Sequence, residues 1–325
     1  MRAIPRWARP AAVAAVLAAV IWRLGSGPFV DGVRALDGRV LVAAAAILLV
    51  TTVCAAWRWK IVADGLGVRL SLTNAVAGYY RALFLNLTLP GGVAGDVHRG
   101  VSHGRDVRDV GHALRAVVWE RTAGQAIQVL LTISVLFVLP SPLRSSMPFV
   151  ALALAATVVV VVLVLVVRAR TGHGRSRWER AQSAAVADIR HGLLRKRAVP
   201  AVVLASTVAV LGHVLTFLIA ARAVGITAPV SRLLPLAFLS MMAMVLPNIG
   251  GWGPREGVTA WAFSAAGLSA GRGAATAVAY GVMVLAASLP GALVLLSGWL
   301  ARRRRSGAEA PVRARPRQRL HLGRT

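Results

Sequence analysis

The chain has 325 residues, 57% of them hydrophobic, and a mean hydropathy of +0.67. Soluble domains are nearer about 45–50% apolar, so an integral membrane protein is indicated before any motif is read. The formal charge of +27 does not point to nucleic acid, because the arginines cluster between and after long apolar runs, as in loops facing anionic lipid, and no aromatic stacking platform is interleaved with them. The one cysteine, Cys54, excludes an intramolecular disulfide and a cysteine metal site.

Ala11 to Trp22 is the first apolar run. Its basic start resembles a signal peptide, but no small-x-small cleavage site follows and more spans do, so a retained first helix is expected. Arg23 to Arg39 is a Gly-rich connection. Val40 to Ala56 is the second span, and the WRWK that follows it (Trp57 to Lys60) reads as an interfacial anchor. A helix capped by Ser71 or Thr73 leads into the third apolar segment, Asn74 to Leu89. Asp96 to Arg115 is a polar connection. Ala116 to Leu139 is a long span with Glu120 and Arg121 near its start, and Pro140 to Pro148 is a turn. Phe149 to Val167 is a further span, too long for a strand. Arg168 to Pro200 is the most basic connection. It reads as a surface-lying amphipathic helix or as a solvated loop. Ala201 to Ala223, Leu233 to Leu246, Gly257 to Leu268 and Ala274 to Leu300 are the remaining apolar segments. Arg302 to Arg305 stop transfer. Residues 301–325 read as a disordered basic tail after a membrane domain of residues 1–300.

Two stretches break the apolar pattern beside ionisable groups. In the first, Pro90, Gly91, Gly92 and Gly95 interrupt the chain after Asn86, and Asp96 and Arg99 follow. In the second, Pro247, Gly250, Gly251 and Gly253 precede Arg255 and Glu256. The positive-inside rule puts the basic connection, the tail and the N-terminus in the cytoplasm. Both ends of Asn74–Leu89 are then cytoplasmic, so that segment must enter the membrane and return. The second broken stretch either dips in from the opposite face or crosses twice. The expected fold is therefore an all-α polytopic bundle with six to eight spans and two broken or re-entrant helices. Opposed breaks of this kind recur in transporters.

Backbone freed by a broken helix is tolerated in a membrane only inside protein or against a wet cavity. Half-helix N-termini and arginines suit an anion there, and guanidinium matches phosphate with paired donors. Asn86, Asp96, Arg99, Glu120, Arg121, Arg255 and Glu256 are the candidate substrate-binding residues, with the phosphate expected on Arg255 and Arg99. Each ionisable group at depth costs about 2.5–3.5 kcal/mol on insertion scales. Simpler readings are a cytoplasmic loop pair for Asp96–Arg99 and side chains reaching the interface for Glu120 and Arg121. His98, His103, Asp106, Asp109 and His112 cluster in sequence, but their spacing matches no zincin motif or helical His pair. No nucleotide loop, nucleophile elbow or dinucleotide fingerprint is present, and no metal or cofactor is expected.

The block Asn86, Pro90, Gly91, Gly92, Gly95, Asp96, Arg99 and the block Leu246, Pro247, Gly250, Gly251, Gly253, Arg255, Glu256 together resemble the transmembrane, flippase-like domain of lysylphosphatidylglycerol synthase, also found as stand-alone bacterial proteins. Glu120, Arg121 and Gly124 look like a third block. The chain departs from the family pattern at Ala94, where glycine is frequent, and at Pro254, where an aliphatic residue is common. The resemblance covers roughly residues 40–300. It implies movement of a charged or aminoacylated phospholipid, or a related polyprenyl lipid, between leaflets of a bacterial inner membrane. Only a short tail follows Leu300, so aminoacyl transfer is expected to be absent. Three functions are weighed: a lipid flippase without enzymatic activity, a membrane enzyme using Asp96 or Glu256 as acid or base, and a scaffold. Membrane phospholipids are the expected partners, nucleic acid is not, and a homodimer is left open.

Overall fold

Four helix starts are set by polar side chains that accept the first free backbone N–H groups. Asp37 accepts from Val40 (2.8 Å), Ser71 from Asn74 (3.3 Å), Asp109 from His112 (2.9 Å) and Ser269 from Arg272 (3.4 Å). The computed structural model describes residues 26–89, 92–139, 185–193, 195–196, 198–245, 248 and 252–308. These form α1 (Gly27–Arg34), α2 (Gly38–Gly65), α3 (Leu72–Thr88), α4 (Ala94–Asp106), α5 (Val110–Val138), a π-helical turn at Ile189–Leu193, α6 (Ala198–Ala223), α7 (Val230–Ala243), α8 (Pro254–Ala265), α9 (Ala270–Ser288) and α10 (Pro290–Ala308). The run at Ala11–Trp22, the span at Phe149–Val167, most of the basic connection, and Pro90, Gly91, Pro247, Gly250 and Gly251 lie outside the described residues.

Among the described residues the architecture is all-helical, and four helical stretches are long and apolar enough to cross a membrane: α2, α5, α6, and α9 with the start of α10. Their outward faces carry exposed Leu49, Val50, Leu130, Phe137, Leu204 and Leu211, as expected where the surrounding medium is hydrocarbon. Helix α6 runs antiparallel to α2, because Ser206 meets Arg58 while Gly212 packs against Thr51 and Ile47. The last long stretch is broken at Leu289, where Pro290 removes a backbone donor. Beyond the break, Gly291 packs directly on the Tyr80 backbone of α3. Helix α10 continues to Ala308 and takes in Arg302–Arg305, and residues 309–325 of the expected tail lie outside the described residues.

Four of the remaining helices form two hairpins, and α1 packs on α9. Helices α3 and α4 pack tightly enough that Gly95 rests on the Ala82 backbone. Their outer ends both lie near the Gly65 end of α2. There Leu70 donates to Asp64 (3.1 Å) and His103 meets Trp59 edge-on at 5.8 Å. Helices α7 and α8 also have adjacent outer ends, joined by the Arg232 guanidinium donating to the Ala266 carbonyl. That pair follows the end of α6 and so belongs to the opposite end of the molecule. The tips meet in the middle. Gly92, at φ +64°, packs against Asn248, and a Cβ there would fall 2.9 Å from the Asn248 Oδ1.

Two sequence expectations change here. WRWK is not an anchor beyond the second span; α2 runs through it to Gly65, and Arg58 and Trp59 are buried. The Asp96–Arg115 stretch is not a plain polar connection; it is α4, a three-residue turn and the first turns of α5, with Asp96, Arg99 and His103 buried.

Candidate functional site

Two apolar clusters fill the bundle. One includes Leu48, Phe217, Leu236 and Phe263, and the other includes Trp59, Val62, Val117 and Val202. Between them lies a polar layer. On α2, Leu48 belongs to the first cluster and Trp59 to the second, and Thr51, Thr52, Ala55 and Arg58 come between. These residues face a cavity of about 250 Å³ that both hairpin tips help to line, through Asn86 and Gly92 from the first and Met244, Val245 and Asn248 from the second.

The first break builds a connected ion network beside this cavity. Glu120 of α5, fully buried, is its centre. Its Oε1 accepts from Arg58 Nε (2.9 Å) and Nη2 and from the Tyr79 hydroxyl (3.0 Å), and its Oε2 accepts from Arg99 Nη2 (2.5 Å). Asp96 is the second anion. Its Oδ1 accepts from Arg99 Nε (3.0 Å), and its Oδ2 from Arg121 Nη2 (2.5 Å) and Asn86 Nδ2 (3.0 Å). Three guanidinium groups thus face two carboxylates, an excess of one positive charge. Charges removed from water are stable only with this density of partners.

Local sequence explains the placement. Asn86, near the end of α3, reaches across the break: its Oδ1 accepts the Gly95 N–H (2.7 Å), one of the orphan donors of α4, while its amide holds Asp96. The spacing of Asn86 from Gly95 and Asp96 is therefore a cap across a turn. Gly124, one helical turn beyond Glu120, leaves room for the Arg58 guanidinium, which a Cβ would approach to 2.7 Å. Arg58 is held further by its Nη1, which donates to Ser206 on α6 (3.0 Å). Arg99 is sandwiched by Trp59 at 4.6 Å and Tyr79 at 4.4 Å. Both Glu120 and Arg99 are buried within the bundle. Helix α5 starts at Val110, six residues earlier than the apolar run suggests, so Glu120 is three turns in.

The second break is organised differently. Arg255 pairs with its own neighbour Glu256, through Nε at 3.0 Å and Nη2 at 2.5 Å. The other Glu256 oxygen accepts the Gly253 N–H (2.7 Å) and so closes the start of α8. Arg255 lies over Trp252 at 5.4 Å and Tyr280 at 5.1 Å, and it fills the space left by Gly281.

Of the candidate residues, Asn86 and Arg121 line the cavity; Asp96, Glu120 and Arg99 stand behind them. Arg255 and Glu256 do not line it. The arginine that the sequence reading left out is Arg58, whose signal was present in a span that continued past Ala56 at helical hydropathy. Of the His/Asp run, His112 pairs with Asp109 (2.7 Å) and His103 packs on Trp59. The Asp109 carboxyl is held below its ordinary value by the His112 backbone N–H.

A family model described as the lysylphosphatidylglycerol synthase TM region matches residues 6–291. The chain belongs to this family. No curated protein and no solved structure matches it. The match spans every helix from α1 to α9. The chain is a multi-pass membrane protein of the lysylphosphatidylglycerol synthase TM-region family, and the described residues of the blocks that carry the resemblance lie on α3, α4 and the turn between them (Asn86, Gly92, Gly95, Asp96, Arg99), on α5 (Glu120, Arg121, Gly124) and at the start of α8 (Gly253, Arg255, Glu256).

Proposed function

We propose that this protein moves a lipid with a phosphate head group, anionic or lysylphosphatidylglycerol-like, between leaflets and leaves its covalent structure unchanged. The observation that carries this reading is the cavity between the two hairpin tips, with the Arg58 and Arg121 side chains in its lining. Family membership agrees with it by analogy. Helices α2 and α5 are 28 and 29 residues long. Centred in a bilayer, they put Arg58 and Glu120 within about 10 Å of the midplane at 1.5 Å per residue, inside the roughly 30 Å hydrocarbon layer. The cavity is smaller than the ~300–1,000 Å³ of a site that encloses a whole drug-sized ligand. It suits a head group whose acyl chains stay in lipid.

In this reading α3–α4 and α7–α8 are re-entrant hairpins that enter from opposite faces of a bacterial inner membrane. The Gly65 end of α2 is cytoplasmic, and so are both termini. Exchange would pass the head group from one hairpin's side to the other at the contact of Gly92 with Asn248.

The test is leaflet exchange of fluorescent phospholipid in vesicles containing the purified protein. Arg121→Ala should slow exchange per folded molecule by tenfold or more, the loss of one charge-assisted contact. Exchange at the protein-free rate in the wild type would refute transport, and a chemically altered lipid would favour the membrane-enzyme reading. The orientation is tested separately, with a cysteine at the exposed Arg105 in a Cys54→Ala background. Labelling from the cytoplasmic side alone is expected.

A further inference from the structure

The cavity is polar on one electrical side only. Among the described residues, two arginines line it and no acidic side chain does. The two nearby carboxylates stand behind the lining with every oxygen engaged: Glu120 by Arg58, Tyr79 and Arg99, Asp96 by Arg99, Arg121 and Asn86. Arg58 is spent as well, with Nε and Nη2 on Glu120 and Nη1 on Ser206. Arg121 is the exception. Only its Nη2 is bonded among the described residues, and nearly half the side chain is exposed. It is a guanidinium fixed at one corner by Asp96, with its remaining donors turned to whatever enters.

A cationic head group would need either a free carboxylate or a free aromatic face. The cavity offers neither. Its two lining tyrosines each lie against a buried arginine already, Tyr79 against Arg99 at 4.4 Å and Tyr280 against Arg255 at 5.1 Å. The network beside it carries an excess positive charge before any ligand arrives. We propose that the ligand is a phosphate head group of net negative charge, bound through Arg121, and that a head group bearing an ammonium, including an aminoacylated one, is discriminated against. This selectivity takes the site from the transport reading above and adds the charge of its cargo.

The experiment uses the full chain in neutral phosphatidylcholine vesicles with trace labelled phosphatidylglycerol, phosphatidylethanolamine or lysylphosphatidylglycerol. In parallel, short-chain versions of the three lipids and inorganic phosphate are added to the protein in detergent, and the thermal midpoint is read. The expected result is exchange of phosphatidylglycerol at least tenfold faster than of the lysyl lipid, a midpoint raised by the anionic lipid alone, and loss of both preferences in Arg121→Gln with partial return in Arg121→Lys. Equal or faster exchange of the lysyl lipid overturns the selectivity and leaves transport standing. No exchange of any lipid, with the midpoint still raised by phosphatidylglycerol, removes transport and supports the anion site. An equal rise with inorganic phosphate alone overturns the assignment to a lipid.

Discussion

The two breaks are written in the same residue types, proline and glycines followed by an arginine and an acid, yet they do different work. At the first, the charges reach outward. Glu120 and Asp96 join α2, α4 and α5, with Asn86 and Tyr79 of α3 and Ser206 of α6 attached, and one guanidinium is left over at the cavity wall. At the second, the charges close on themselves. Glu256 takes both Arg255 and the first N–H of its own helix, and two rings cover the arginine. In both, a glycine on a neighbouring helix makes room for a buried guanidinium, Gly124 for Arg58 and Gly281 for Arg255. A conspicuous buried charge is therefore not in itself a binding residue. In the proposed reading a binding group is one with a donor left unspent, and among the described side chains the first break supplies one at the cavity, Arg121.

The comparison is broken most severely by removing each acid. Glu120→Ala removes the carboxylate shared by two buried arginines, leaving Arg58 with no acidic partner and Arg99 with Asp96 alone, and should cost about 3–5 kcal/mol of stability, read as thermal unfolding in detergent. Glu256→Ala strands one, which two rings still cover, and should fall at or below the low end of that range. Equal losses would mean that the wider network adds nothing. Next in size is Gly95→Ala. Its methyl group would press on the Ala82 backbone, forcing α4 away from α3 at about 1–3 kcal/mol and reducing exchange along with stability. Should exchange survive unchanged, the tight first hairpin is not needed for function. Arg255→Lys loses the planar fork and the ring contacts, about 1 kcal/mol, while exchange per folded molecule should stay within about twofold, less than one charge-assisted contact is worth. A tenfold fall there would make the two breaks alike after all.

The smallest effect belongs to Asp109, the cap that starts α5. Its carboxyl titrates below the ordinary value of 3.8 because the charged form accepts the His112 N–H. A depressed value in the folded state gives stabilisation that is complete above the unfolded value and is lost as pH falls through the folded one. An Asp109→Ala variant should therefore melt earlier than wild type at neutral pH, and the gap should narrow as pH falls through the acid side of the carboxylate range. A gap that stays constant from pH 7 to pH 3 would count against the charge of the cap.

The membrane class, the long apolar helices, Ser71 as a cap and the two breaks were legible from sequence, because each is a local property of composition, period or turn chemistry. The family blocks were legible for the same reason: Asn86 to Asp96 is a short-range cap, and its spacing is fixed by one turn. Ion-pair partners were not. Arg58 lies 62 residues from Glu120 and 148 from Ser206, and its tryptophan neighbours made it look like an interfacial anchor. Arg255, expected with Arg99 to hold the phosphate, pairs with Glu256 beneath two rings and does not line the cavity. Hydropathy is additive along the chain and can be read there. Which charge is satisfied and which is left facing space depends on side chains brought together from distant helices, and only the packed bundle decides that.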